Sequence, residues 1–336
     1  MAPLDDTTPA TRFDSFNIYR VPYKKIGEHE IEAGILVPKD LKAGKHPALI
    51  KFHGGGLNGT KSQIINHKTP HTQIMGDCLY PDWTSAFFVP LIHRTSSIVV
   101  LPNYRFLPEH NGKDILSDLS DFWSWFHAGS VEKFLNNQPA TPEGGVSLDH
   151  DRVLVSGDSA GGYMALMSGL MQPKGCIKTI LVEYPMTNYL RYELGPTFFG
   201  MPSPPASVLT DHVKTMVPGA VVSSAVPPAR MGLGYAMAAY GHFLEYFGED
   251  EKMWPIGLVE EKTWLPPTWI LHGGADTVVN VEDSRAFVEK CKKLQGVEVK
   301  LTVREGMEHG FDGAMKEDEE PWLKEGVAWV EEKWLS

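Results

Sequence analysis

The stretch Val153-Leu154-Val155-Ser156-Gly157-Asp158-Ser159-Ala160-Gly161-Gly162 decides the fold of this chain. An apolar run ends at a serine that has one glycine two positions before it and another two positions after it. Small and apolar residues compatible with a helix follow as far as Met171. This order is typical of a nucleophile elbow, in which a strained strand-to-helix turn exposes a serine hydroxyl above a sheet. The glycines let strand and helix approach closely. A Gly/Ser turn without chemistry is the alternative interpretation of this stretch alone.

Apolar segments like the one before Ser159 recur along the chain, separated by stretches compatible with helices. Their continuous hydrophobicity is typical of strands buried on both faces, which predicts a mostly parallel sheet covered by helices and an α/β fold class. The predicted strands are residues 48–52, 97–101, 153–156, 179–184, 268–272 and 297–303. Residues 31–38 alternate more and predict an antiparallel edge strand. Helices are predicted at residues 114–136, 160–171, 283–294 and 318–335.

Residues 189–262 break this alternation, because they are rich in proline and carry many methionine, alanine and aromatic residues. Long insertions in α/β enzymes are usually functional, so we expect helices folded over a binding cleft as a cap on a single domain. Pocket lining or packing within the cap would each explain the bulky side chains Met231, Tyr235, Met237, Tyr240, Phe243 and Tyr246.

Composition argues against several classes of partner. The net charge of −11 disfavours nucleic acid, whose binding needs clustered lysine and arginine. The three cysteines lack C-x-x-C spacing, and Pro70 separates His67 from His71, so we predict no disulfide framework, metal site or cofactor. No apolar run reaches the ~18 residues of a membrane span, and the acidic start does not resemble a secretory signal. We therefore expect a cytoplasmic protein.

A serine hydroxyl needs a base to take its proton and a third group to orient that base. Asp276 follows the fifth predicted strand and His309 follows the sixth, so both can reach the sheet edge where Ser159 lies. The sequence thus predicts a Ser159, Asp276 and His309 triad, in which Asp276 orients the base His309. Asp283 and Glu308 are competing carboxylates of lower rank.

The anion that develops on an attacked carbonyl oxygen needs fixed donors. The run His53-Gly54-Gly55-Gly56 directly follows the first predicted strand, so backbone without side chains can point N–H groups at a substrate. The amide of Ala160, at the start of the elbow helix, is a further candidate donor. The run lacks the G-x-x-x-x-G-K-[ST] spacing of a phosphate-binding loop.

Together these motifs resemble the hormone-sensitive-lipase-like branch of the α/β-hydrolase superfamily, over about residues 30–335. The resemblance rests on the His53 to Gly56 run, the elbow, Asp276 and His309-Gly310-Phe311, with a further match at Asn103-Tyr104-Arg105-Phe106-Leu107-Pro108-Glu109-His110. It implies the α/β-hydrolase fold, Ser159 as nucleophile, Asp276 as acid and His309 as base. It also implies an oxyanion hole from the amides of Gly55, Gly56 and Ala160, and a cap from about residues 1–30 and 189–262.

The activity implied by this resemblance is hydrolysis of a small or medium carboxylic ester through an acyl-enzyme, without cofactor or metal. Amide, formamide or thioester hydrolysis, transacylation and elimination use the same machinery and stay open. A small-ligand receptor on the same scaffold is the alternative from another class, although such receptors lack the catalytic histidine that His309 matches. Leu57-Asn58 stands where an aromatic residue often follows the glycines, so the substrate class is open. The sequence also leaves the oligomeric state open, a homodimer included.

Overall fold

An eight-stranded sheet forms the centre of the chain in the computed structural model, which describes residues 4–55, 74–188, 197–198 and 201–336. The strands of this sheet are β1 Phe16–Ile26, β2 His29–Pro38, β3 Gly44–Phe52, β4 Ile98–Pro102, β5 Val146–Asp158, β6 Thr179–Glu183, β9 Thr268–Gly273 and β10 Val299–Arg304. Two short strands, β7 Thr197–Phe198 and β8 Met201–Pro202, pair separately with each other.

The strand order in the large sheet is β1-β2-β4-β3-β5-β6-β9-β10. The pairs from β4 to β10 are parallel, whereas β2 runs antiparallel to both of its neighbours. This topology confirms the predicted α/β-hydrolase fold. The prediction that residues 31–38 form an edge strand was wrong, because β1 pairs with β2 along its length and takes the edge position. More and less exposed side chains alternate along β1, with Ile18 and Arg20 exposed, as expected for a strand at the edge of the sheet.

Helices cover both faces of the sheet. They are α1 Phe88–Thr95, α2 Gly112–His127, α3 Ser130–Leu135, α4 Ala160–Met171, α5 Ser207–Thr215, α6 Met231–Ala239, α7 Phe243–Phe247, α8 Pro255–Leu258, α9 Val281–Cys291 and α10 Pro321–Leu335. Short 3₁₀ helices lie at Leu4–Asp6, Pro9–Thr11, Pro81–Trp83, Glu251–Met253 and Val259–Glu261. Residues 114–136, predicted as one helix, form two helices. Gly129 between them takes the left-handed conformation at φ 68°, which interrupts the helical backbone. In the part of the chain that the structure describes, no helix is long and apolar enough to cross a membrane.

Successive residues of the central strands point to opposite apolar layers. Val153 and Val155 of β5 pack with α2 and α4, whereas Leu154 between them packs with α1 and α10. All three side chains are fully buried. The strand is therefore apolar at every position, as expected for a parallel sheet covered on both faces.

The two ends of the chain are bound to this sheet. Leu323, Val327, Val330 and Trp334 form the buried stripe of α10, whereas Trp322 lies half-buried beside Arg304. The N-terminal segment differs from the predicted cap over about residues 1–30, because β1 belongs to the central sheet. Only the residues before Phe16 are then left for an N-terminal contribution to a cap.

Helices α5 to α8 lie in the predicted insertion at residues 189–262, of which residues 189–196 and 199–200 are outside the described residues. Phe243 stacks on Phe247 at a ring distance of 5.4 Å, and both contact Trp254. A shared carboxylate joins the insertion to the body, since Glu109 accepts hydrogen bonds from Arg230 at 2.6 Å and pairs with His212 at 2.8 Å. The role of this insertion as a cap stays a prediction.

Candidate active site

Ser159 lies in the sharp turn between β5 and α4. Its backbone angles, φ 53° and ψ −115°, are rare for a residue with a side chain, and such strain is typical of functional turns. A Cβ on Gly157 would overlap the carbonyl oxygen of Gly161, and one on Gly161 would overlap the carbonyl oxygen of Phe52. The two glycines are therefore required by the close approach of strand and helix, as the sequence pattern predicts.

Backbone hydrogen bonds hold the turn in place. The Ser159 N–H donates to the carbonyl oxygen of Glu183 at the end of β6, at 2.9 Å. The Ser159 carbonyl oxygen accepts from Tyr163 and Met186. Ser159 is 1% exposed, and its buried hydroxyl has no hydrogen-bond partner among the described residues. Because a buried hydroxyl without a partner is costly, this oxygen is a candidate for a group that acts on a bound molecule.

Asp276 and His309, which are 33 residues apart in sequence, meet at the carboxyl ends of β9 and β10. The Nδ1 atom of His309 lies 2.7 Å from Oδ2 of Asp276, and both side chains are fully buried. The other carboxylate oxygen, Oδ1, accepts the N–H groups of Val278 and Val279 at 2.8 Å each. These three hydrogen bonds fix the orientation of the carboxylate, and the imidazole is held in the tautomer that carries its proton on Nδ1.

Charge keeps Asp276 ionised despite its burial. Burial alone would raise the pKa of Asp276, but the electrostatic interaction with the His309 ring and hydrogen bonds from His272 and His309 hold it well below its ordinary value. His272 lies 3.3 Å from Oδ2 through its Nε2 atom, and its Nδ1 atom lies 2.8 Å from the Ser284 hydroxyl. The site therefore contains a fixed negative charge directly behind the imidazole.

Of the three carboxylates weighed from the sequence, Asp276 is the one that contacts the His309 ring. Glu308 instead bridges two loops, since its carboxylate accepts from the Thr277 N–H at 2.7 Å and from the His309 N–H at 2.9 Å. Asp283 lies in the first turn of α9. The Glu308 carboxylate thus links the loop that carries Asp276 to the loop that carries His309, a role that sequence spacing does not reveal.

The glycine run after β3 lies beside the elbow. His53 and Gly54 are buried, and the ring of His53 stacks on Tyr104 at 4.6 Å. Its Nδ1 atom lies 2.7 Å from the Gly54 carbonyl oxygen, and burial lowers the pKa of His53 to about 4, so the ring is neutral at pH 7. A Cβ on Gly54 would come within 2.5 Å of Oδ2 of Asp158, which shows how little space the loop has.

The predicted oxyanion donors are placed in part. Gly55 is buried at the end of β3, and Ala160 begins α4, where the first N–H groups of a helix have no partner within the helix. Gly56 lies outside the described residues. The role of Gly55, Gly56 and Ala160 as oxyanion donors stays a prediction.

Sequence reasoning missed a group of charged residues beneath this site. Lys51 and Glu183 lie within strands that were interpreted as apolar, yet their side chains form a buried ion pair at 2.8 Å. Asp158 and Asp312 extend the group. The signal that could have revealed it is a charged residue inside an otherwise continuous apolar strand, as in Ala48-Leu49-Ile50-Lys51-Phe52, because an unpaired buried charge is too costly to keep.

Comparison with known proteins agrees with this architecture. A family model described as alpha/beta hydrolase fold matches residues 78–208. Probable carboxylesterase M8 of Phoma sp. is 27% identical over 96% of this chain and 98% of its own length. Probable carboxylesterase clz11 of Cochliobolus lunatus is 30% identical over 55% of this chain and 87% of its own length. Non-reducing polyketide synthase Preu6 of Preussia isomera is 23% identical over 92% of this chain, which matches 14% of that longer protein.

The solved structure of apo Thermogutta terrifontis esterase 2 has the same fold. It superimposes with a TM-score of 0.57 at 19% identity, covering 97% of this chain and 96% of the esterase. At that identity the likeness concerns the fold alone. The relatives and the family model nevertheless agree with each other and with the sheet topology, and the chain therefore belongs to the hormone-sensitive-lipase-like α/β-hydrolase family as a carboxylesterase-like hydrolase.

Proposed function

We propose that this hydrolase cleaves esters of small or medium size through an acyl-enzyme formed on Ser159. His309 acts as base and then as acid, and Asp276 orients and stabilises its imidazolium. The amides of Gly55, Gly56 and Ala160 bind the developing oxyanion. The single observation that carries the proposal is the 2.7 Å contact between His309 Nδ1 and the buried Asp276 carboxylate, at the sheet edge where Ser159 stands.

The steps follow from these positions. His309 takes the Ser159 proton on Nε2 while Oγ bonds to the ester carbon and the carbonyl electron pair moves to oxygen. The tetrahedral intermediate collapses, the bond to the alcohol oxygen breaks, and His309 returns the proton to that alcohol. Water then repeats the sequence on the acyl-enzyme and releases the acid. Asp276 stays ionised throughout, because its pKa lies well below its ordinary value.

The preferred acyl chain depends on the insertion at residues 189–262, which we propose to be the cap. Its described side chains Tyr235 and Phe243 are bulky and buried, which favours a narrow site and short acyl chains. We expect p-nitrophenyl acetate and butyrate to be cleaved faster than long-chain esters. Tyr235→Ala should shift the preference toward longer chains, whereas faster turnover of long-chain esters by the wild-type protein would contradict this inference.

The test of the serine mechanism combines turnover with labelling. We expect p-nitrophenol release by the wild-type protein, covalent labelling of Ser159 by a fluorophosphonate, and loss of both in Ser159→Ala. Ser156→Ala is the matched control, since Ser156 is fully buried in the same strand and precedes the elbow. Folded wild-type protein that neither releases p-nitrophenol nor reacts with the fluorophosphonate would exclude the proposal.

A thioester is the second candidate substrate, favoured by the match of this chain to 14% of a non-reducing polyketide synthase. The same nucleophile, base and oxyanion donors cleave a thioester, with a thiol as leaving group. Measuring kcat/KM for butyryl oxygen esters and butyryl thioesters of matched size distinguishes the two. A strong preference for the thioester would reassign the substrate class without changing the roles of the triad.

A further inference from the structure

Three carboxyl groups and one ammonium group lie beneath the triad, and the proposed reaction uses none of them. Lys51, Asp158, Glu183 and Asp312 are each at most 2% exposed. Lys51 Nζ lies 2.8 Å from Oε2 of Glu183 and 3.3 Å from Oδ1 of Asp158. One positive charge therefore faces three groups that would all be negative in water.

A shared hydroxyl shows that this cluster keeps an extra proton. The Ser85 Oγ atom lies 2.7 Å from Oε1 of Glu183 and 3.0 Å from Oδ2 of Asp312. Because a hydroxyl has one proton, it can donate to only one of these oxygens, and two ionised carboxylates would leave the other contact repulsive. One of the two carboxyl groups must therefore be protonated.

Asp312 is the group that holds this proton. Burial favours the neutral form of both carboxyl groups, but the Lys51 ammonium next to Glu183 lowers the pKa of that group overall. Burial and the neighbouring Glu183 raise the pKa of Asp312 well above its ordinary value. The neutral acid of Asp312 donates to the Ser85 oxygen, and the Ser85 hydroxyl donates to the Glu183 carboxylate.

The bridge through Ser85 joins two parts of the active site. Asp312 is three residues after His309, and Tyr184, the residue after Glu183, packs its ring 4.3 Å from the imidazole. On the other side, the backbone carbonyl of Glu183 accepts the N–H of Ser159. The loop that carries the base is thus tied to the strand end that holds the nucleophile.

We propose that Asp312 is a positioning residue for ester hydrolysis, because as the neutral acid it ties the His309 loop to Glu183 and Ser85 and so fixes the imidazole relative to Ser159. The inference rests on the proposed roles of Ser159 and His309. Two further hydrogen bonds hold the loop, since the Gly313 carbonyl oxygen accepts from Ala86 at 3.0 Å and from Arg12 at 3.4 Å, but both donors lie outside β6.

The proposal has a consequence for pH dependence. The groups that face Asp312 are Glu183 and Tyr184 from the end of β6, Ser85 from the loop before α1, and Lys51 from β3, with Asp158 of β5 beyond Lys51 and Arg12 bound to Gly313. When Asp312 loses its proton as the pH rises, adjacent carboxylates repel each other and Ser85 can donate to only one of them. The His309 loop then loosens and kcat falls.

The experiment compares Asp312→Asn with Asp312→Ala across pH 6 to 10, using p-nitrophenyl acetate. Asparagine keeps a neutral donor to Ser85, whereas alanine removes it. We expect Asp312→Ala to lower kcat by about 10- to 100-fold, the loss typical of a misplaced catalytic group, with KM nearly unchanged. We expect Asp312→Asn to retain most of kcat at pH 7 and to lose the alkaline decline of the wild-type protein. Asp318→Asn, an exposed site on the same C-terminal segment, is the matched control.

Each outcome decides the proposal. An alanine variant with wild-type kcat, or an asparagine variant whose alkaline decline is unchanged, would overturn it. If the alanine variant does not fold, the pH profile of Asp312→Asn alone carries the test. Fluorophosphonate labelling distinguishes failure of the serine mechanism from failure of the Asp312 proposal. If Ser159 of the wild-type protein is not labelled, the serine mechanism is contradicted. If Ser159 is labelled but the Asp312 variants have unchanged kinetics, only the role of Asp312 is overturned.

Discussion

Replacing Asp276 with asparagine should remove most of the activity while leaving the fold intact. Two backbone N–H groups, from Val278 and Val279, point at Oδ1 from 2.8 Å each. The amide oxygen of asparagine must occupy that position, because the NH₂ group cannot accept hydrogen bonds. The NH₂ group then faces Nδ1 of His309, which must accept, so the ring proton moves to Nε2. An imidazole in that tautomer cannot take the proton of Ser159.

The magnitude follows from this tautomer change. Triads with an asparagine in place of the aspartate lose about 10⁴ in kcat, or about 5 kcal/mol of transition-state stabilisation. We expect a loss of this size in Asp276→Asn for p-nitrophenyl acetate, with KM nearly unchanged, measured in the steady state beside circular dichroism. Asp283→Asn, which changes the competing carboxylate in the first turn of α9, should retain wild-type activity.

The result that would refute the reasoning is a kcat for Asp276→Asn within tenfold of the wild type. A large loss in Asp283→Asn with little change in Asp276→Asn would show that the other carboxylate serves the base. Either outcome would mean that the two backbone donors do not dictate how the side chain at position 276 is oriented.

Three further predictions concern stability, measured by urea unfolding. Gly157→Ala should lower the free energy of unfolding by about 1–3 kcal/mol or prevent folding, because the added Cβ overlaps the Gly161 carbonyl oxygen. An unchanged urea midpoint would contradict this. Lys51→Met should lower the free energy of unfolding by about 3–5 kcal/mol, because it leaves Glu183 buried without its cation. The double variant Lys51→Met/Glu183→Gln should recover part of this loss. Equal stability of the single variant and the wild type would argue against a stabilising ion pair. Because burial lowers the pKa of His53 from 6.5 to about 4, its unfolded form binds a proton first as the pH falls, so stability should drop by about 3 kcal/mol between pH 6.5 and 4. His53→Gln should lose that part of the decline, and a decline of wild-type size in this variant would count against the assignment.

The site divides into residues that local patterns can reveal and residues that they cannot. Ser159 is visible because its glycines and its place after an apolar run are local features. Asp276 and His309 are visible because side chains after parallel strands return to one sheet edge. Glu308 was weighed as an alternative acid, and only the structure shows it bridging the Thr277 and His309 amides. Its contacts join loops whose approach depends on the packing of the whole sheet.

The same distinction holds for the fold. The apolar segments predict the parallel strands, since burial on both faces leaves no polar positions in them. They do not predict that β1 takes the edge, because an amphipathic strand near the N-terminus pairs wherever the sheet offers a free neighbour. They also do not predict two helices in place of one over residues 114–136, because a single left-handed glycine decides that break.

The sequence by itself determined the α/β class and the elbow, and it predicts the order of nucleophile, acid and base, because each depends on a short pattern or on strand order. Only the tertiary structure decided that Lys51, Asp158, Glu183 and Asp312 meet beneath the proposed triad. Those residues come from three strands and a distant loop, and each alone is an ordinary charged residue. Their shared burial lets a carboxyl group keep its proton, and no single segment of the chain contains that information.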